Sequence, residues 1–139
     1  MRLAAIALTL VPLVLAAATP AARGTAPKPK TIASYCSTSG DVCYGIFNRS
    51  GKISLEITTA ARYFNRYTLC VRRLPPRNTA EYAQRCGSFP VTRQSGSTWG
   101  SRVNYARHYP LTFTGTYRVT WKLAGSTLGP ALRFRLPVS

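Results

Sequence analysis

Three acids, one histidine and four cysteines are the chain's stock of residues for acid–base or metal-assisted chemistry: Asp41, Glu56, Glu81, His108, Cys36, Cys43, Cys70 and Cys86. Paired-carboxylate hydrolysis needs two acids a set distance apart. Here Asp41 falls in turn-like "STSGDV", Glu56 on the outward parity of a strand and Glu81 in a loop. A serine–histidine–acid site could draw only on His108, which "ARHYP" places in a loop. No nucleophile elbow or phosphate loop occurs, and without a C-x-x-C pair or a second histidine a zinc site has no ligand set. The expectation is a protein that is not an enzyme, with no catalytic residue, no metal and no cofactor.

The cysteines then read as structure. In "RYTLCVRRL" (66–74), Tyr67, Leu69 and Val71 share one parity while Arg66, Thr68, Cys70 and Arg72 share the other. Alternate residues of a strand face opposite ways, so Cys70 stands on the outward, basic side. In "RCGSFPVTR" (85–93), Phe89 and Val91 take the inward parity and leave Cys86 outward as well. Two outward cysteines on neighbouring strands suit a cross-strand bond. Cys36 and Cys43 bracket a short turn. The expected pairs are Cys36–Cys43 and Cys70–Cys86, both structural staples of an exported chain.

Charge is the strongest compositional feature: 19 Lys and Arg against 3 acids, a formal net charge of +16 in 139 residues. Such a surface attracts polyanions over about a Debye length.

The elements that position these residues are short strands. "MRLAAIALTLVPLVLAAATP" has the charged start, apolar run and small-residue end of a secretory signal, predicted over 1–18 with cleavage after Ala18, Ala22 or Gly24. Residues 19–34, rich in Pro, Ala, Thr and Lys, are expected to be a disordered linker. From 35 to 138, alternating stretches at 41–47, 52–58, 66–74, 85–93, 97–106, 115–123 and 131–138 predict seven strands, with a loop at 75–84 that has room for one helical turn. Pro90 points to a sheet edge. The fold class that follows is all-β, a seven-stranded immunoglobulin-like antiparallel sandwich with two disulfides.

"GTYRVTWKLAGSTLGPALRFRLPV" (115–138) resembles the last hairpin of bacterial immunoglobulin-like and fibronectin-like modules. It is also similar to the closing hairpin of periplasmic copper-resistance sandwiches, which read Gly-Thr-Tyr-x-Val-x-Trp before the turn. The turn at 124–130 lacks the Asp-Gly-His of that family, and no histidine follows the signal closely. The resemblance therefore implies the architecture without the copper.

In immunoglobulin-like order the third, sixth and seventh strands share a sheet. Their outward cations are Arg66, Arg72, Arg118, Lys122, Arg133 and Arg135, with no acid among them. The first, second and fifth strands show a near-neutral mixture, Lys52, Ser54, Glu56, Arg102 and Asn104. Threonines, not aromatics, accompany the arginines, and the loop tyrosines Tyr63, Tyr82 and Tyr109 form no stripe, which argues against single-stranded nucleic acid. The expected role is an exported, cell-envelope-associated binding module contacting an anionic envelope polymer, polysaccharide or phospholipid surface, with no transmembrane segment once the signal is removed. The other reading is a secreted inhibitor or toxin-like factor that meets another protein through the 75–84 loop.

Overall fold

A computed structural model describes Ala21 and residues 24–138; the expected signal peptide at 1–18 lies outside the described residues. Ten strands form in chain order: β1 (Lys30–Cys36), β2 (Val42–Arg49), β3 (Lys52–Thr59), β4 (Arg66–Arg73), β5 (Arg85–Pro90), β6 (Thr92–Ser95), β7 (Thr98–Asn104), β8 (Gly115–Leu123), β9 (Ser126–Thr127) and β10 (Leu132–Leu136). One short helix, α1 (Tyr105–His108), follows β7. The first sheet runs β1-β2-β3-β7-β6 and the second β10-β8-β4-β5, with β9 paired to β8. Every pairing is antiparallel.

The alternation sets the core. Tyr44 and Ile46 of β2, Ile53, Leu55 and Ile57 of β3 and Val103 of β7 are buried, as are Tyr67, Leu69 and Val71 of β4, Tyr117, Val119 and Trp121 of β8 and Phe134 of β10. Two tight hairpin turns fix the register. Ser50 (φ 51°) and Gly51 (φ 82°) join β2 to β3, while Ala124 (φ 48°) and Gly125 (φ 84°) carry β8 into β9. Left-handed backbone at both turn positions matches the strand twist.

Four buried tyrosines tie the connections to this frame. Tyr44 Oη donates to Pro130 O at 2.7 Å, Tyr105 to Leu111 O at 2.8 Å, Tyr109 to Leu69 O at 2.5 Å and Tyr117 to Phe113 O at 2.6 Å. Each hydroxyl satisfies a loop or strand carbonyl that would be costly to bury alone. Tyr109 is thus a core residue and not an exposed loop ring.

Several expectations need correction. Among the described residues ten strands stand where seven were predicted. β1 begins at Lys30, inside the stretch 19–34 expected to be linker, so residues 30–34 are an edge strand paired to β2. The fourth predicted strand is two: β5 ends at Pro90, and β6 joins the other sheet. Proline has no N–H to continue the ladder, and Val91, buried at the corner, donates its N–H to Asn65 O at 2.8 Å. β5 is nonetheless an edge strand, as Pro90 indicated. The end of the fifth predicted strand folds as α1, capped by Asn104 Oδ1, which accepts from Arg107 N at 3.2 Å. The loop at 75–84 forms no helical turn.

Both predicted disulfides are present, Cys36–Cys43 and Cys70–Cys86, and no cysteine is free. Cys70 keeps its outward parity but is only 2% exposed. β4 is an inner strand, so Cys70 lies between cross-strand neighbours Thr120 and Cys86, beneath the bond to the latter. Cys86, on the edge strand, is the exposed half. Two such bonds suit an oxidising, extracytoplasmic setting.

Candidate anion-binding face

The outward side of the second sheet is built from β4, β8 and β10, the three strands expected to share it. Register decides which cations meet. Arg72 stands opposite Arg118, and Arg118 opposite Arg133. Adjacent strands lie about 4.8 Å apart, so three guanidinium stems leave the sheet within about 10 Å of one another. Arg135, opposite Thr116, is two residues along β10. Lys122, opposite Thr68, is two residues past Thr120 on β8.

Between these cations lies a shallow depression of about 300 Å³, lined by Arg118, Thr120, Lys122, Thr127, Gln84 and Ala131. Thr127 comes from β9, opposite Lys122, so the β8–β9 turn supplies one wall and the end of the 75–84 loop another. Two cations, two hydroxyls and a carboxamide make a donor-rich surface for phosphate, sulfate or carboxylate oxygens.

Two of the six candidate residues are otherwise engaged. Arg66 is six residues from Arg72, about 20 Å along the strand, and donates from Nε to Ser88 Oγ and from Nη2 to Ser88 O, both at 3.0 Å. It stands at the far end of the face, apart from the arginine row. Arg72 pairs with Glu81 and donates to Gln84 Oε1 at 3.3 Å. The face was expected to hold no acid; the 75–84 loop folds back and brings one to its β4 side.

The outward side of the first sheet is different. Glu56, expected to be simply exposed, is the hub of a network on it. Arg49 donates to its two oxygens at 2.6 and 3.0 Å, Ser54 Oγ donates at 2.7 Å, and Arg102 Nε lies at 3.3 Å. Burial alone pushes the Glu56 carboxyl up, but the hydrogen bonds from Arg49 and Ser54 and the charges of Arg102 and Arg49 outweigh it and hold the group below its ordinary range. Arg49 and Arg102 share this one carboxylate, whereas Arg118, Lys122, Arg133 and Arg135 have no carboxylate within ion-pair distance among the described residues.

One cluster was not singled out from the sequence. Arg73, on the inward parity of β4, reaches the end of the sandwich, where its guanidinium lies 5.0 Å from the Tyr82 ring centroid and 5.4 Å from that of Phe113. The signal was the continuation Tyr67, Leu69, Val71, Arg73, a cation where the alternation demands an apolar residue.

Among the described residues no group of three histidine, cysteine or acidic side chains is placed to hold a metal, and no helix is long and apolar enough to cross a membrane. No family model, curated protein or solved structure matches the chain.

Proposed function

We propose that the chain is an exported, non-catalytic binding module, an immunoglobulin-like sandwich that holds an anionic envelope polymer, polysaccharide or phospholipid surface against the arginine face of its second sheet. The observation that carries this reading is the row Arg72–Arg118–Arg133. Like charges directly opposite on adjacent strands cost stability, and a polyanion crossing the strands would neutralise the row and turn that cost into binding free energy. The depression beside it supplies hydroxyl and amide donors to the same anion. Two of the three acids are engaged by arginines, Glu56 in its ion network and Glu81 on Arg72.

Elution from a heparin column tests it. The variant Arg118→Ser/Arg133→Ser/Arg135→Ser is expected to elute at clearly lower salt than Lys28→Ser/Lys52→Ser/Arg107→Ser, which has the same net charge but loses cations from elsewhere. Each phosphate-like contact removed lowers the salt slope of binding by about one. Equal losses in the two variants would mean that charge alone, and no site, retains the protein.

A further inference from the structure

Large apolar side chains on this surface are few: Tyr63, Tyr82 and Phe113 are the exposed ones among the described residues. Two of those three converge on one cation. Tyr82, 39% exposed, comes from the 75–84 loop, and Phe113, 67% exposed, from the segment before β8. With Ala83, Arg85, Leu111 and Tyr117 they enclose a cleft of about 310 Å³ at the end of the sandwich, with Arg73 in its lining. That volume suits a large apolar side chain, at the small end of ligand sites.

The cleft is held in shape from below. Tyr117 Oη donates to Phe113 O at 2.6 Å, and Arg73 Nη2 donates to Thr114 O at 2.6 Å, so two consecutive carbonyls at and after Phe113 are fastened to the sandwich. Gly115, at φ 147°, lets the chain turn beside Arg73: a Cβ there would lie 3.1 Å from Arg73 Nε. On the other wall Glu81 fastens the loop to Arg72 next to Tyr82. The Arg73 guanidinium makes one hydrogen bond among the described residues, and its Nε is buried without an acceptor. Five donors on a guanidinium leave most of its capacity unused.

We propose that this cleft is a docking site for an acidic protein segment, with an aromatic or large aliphatic side chain entering the cleft against Tyr82 and Phe113 and a neighbouring carboxylate meeting Arg73 and Arg85. The occupant's chemistry follows from the lining. Aromatic rings around an arginine are the composition of interface hot spots, where truncation of one anchor removes much of the affinity. Arg73 and Arg85 face the cleft with no acid in its lining, so charge complementarity selects an anionic partner. The apolar walls then select a partner with a hydrophobic anchor, which distinguishes this site from the threonine-lined arginine face.

Two synthetic acidic peptides of identical charge, one with a single central phenylalanine and its twin with alanine there, test the inference by calorimetry. At about 150 mM salt long-range attraction is largely screened. The phenylalanine peptide is expected to bind roughly tenfold tighter than the alanine twin, the scale of one well-packed aromatic contact. Phe113→Ser and Tyr82→Ser, both at exposed positions that leave the core intact, are each expected to abolish that preference. Arg118→Ser/Arg133→Ser should leave it unchanged even while heparin binding falls, so this site and the arginine face fail separately. Equal affinity of the two peptides for the wild type, or a preference that survives both cleft variants, would overturn the inference. So would displacement of the phenylalanine peptide by a heparin fragment from the wild type but not from Arg118→Ser/Arg133→Ser with the cleft intact, which would make the preference a property of the charged face.

Discussion

Tyr44 and Trp121 stack across the two sheets with ring centroids 4.5 Å apart and planes inclined by 23°. Tyr44 is anchored at its hydroxyl to Pro130 and flanked by Tyr35 at 5.1 Å, so the pair joins β2, β8 and the connection before β10 in one contact. Gly129 makes this possible, since a Cβ there would come within 2.7 Å of both Tyr35 and the Tyr44 hydroxyl. Trp121→Ala is expected to destabilise the fold by about 3–5 kcal/mol, as for large aromatics removed from packed interiors. Denaturant melts of the purified variant measure it, and a loss below about 1 kcal/mol would mean that the pair does not hold the sheets together.

The two staples should differ in worth. Cys70 and Cys86 are separated by 16 residues and Cys36 and Cys43 by 7. In the chain-entropy account the longer loop stabilises by about 3 kcal/mol, and the ratio of the two separations makes the shorter one weaker by about 0.7 kcal/mol. Cys70→Ala/Cys86→Ala is therefore expected to lose more stability than Cys36→Ala/Cys43→Ala in parallel urea titrations. The reverse order would show that fastening β1 to β2 matters more than loop entropy.

High pH should unfold the protein through its phenols. Burial pushes Tyr67 up to about 12, with Ser101 opposing, and burial followed by Tyr35 pushes Tyr44 up to about 12. Burial also raises Tyr105, Tyr109 and Tyr117. A tyrosine in the unfolded chain ionises near 10. Between about 10 and about 12 the unfolded chain has released protons that the native state keeps, so stability is intact below that window and falls as pH rises through it. Each such tyrosine contributes a slope of about 1.4 kcal/mol per pH unit there. Urea melts at stepped alkaline pH should show the decline, and Tyr67→Phe should flatten it by about one proton.

Strands with two clear faces were readable from residue types alone. Ile53, Leu55 and Ile57, or Tyr117, Val119 and Trp121, alternate with polar residues and sit in the core. β1 was not readable, because Thr31, Ala33 and Ser34 give an edge strand little apolar contrast; its pairing comes from β2 and from the Cys36–Cys43 bond. Parity runs unbroken through "RCGSFPVTR", so the sequence pattern could not show that Pro90 moves the chain from one sheet to the other. Placing Arg66, Arg72, Arg118, Lys122, Arg133 and Arg135 on one outward side needed only parity and strand order. Their separation needed register: it aligns Arg72, Arg118 and Arg133 and leaves Arg66 on Ser88. Glu81 on Arg72, and Arg73 between Tyr82 and Phe113, are contacts of a loop with a strand end, set by packing that no local pattern encodes.

The arginine row makes a prediction in which stability and binding move in opposite directions. Arg118 is the middle member, with Arg72 and Arg133 directly opposite on either side. Glu81 offsets Arg72, but no carboxylate reaches Arg118 or Arg133 among the described residues. Replacing the central cation with a good strand former relieves its repulsion with Arg133 and what Glu81 leaves of that with Arg72, so Arg118→Thr is expected to raise stability by about 0.2–1 kcal/mol at low ionic strength. The gain should shrink as salt is added, since these charges face solvent and are screened. Heparin affinity should fall in the same variant. Sulfate or phosphate should stabilise the wild type by mass action, because an anion that binds only the folded row shifts the folding equilibrium, and should do so less for Arg118→Thr. Thermal melts in chloride and in sulfate at matched ionic strength measure both effects. A variant less stable than the wild type at low salt, with equal response to sulfate, would show that the three arginines neither repel one another nor share an anion.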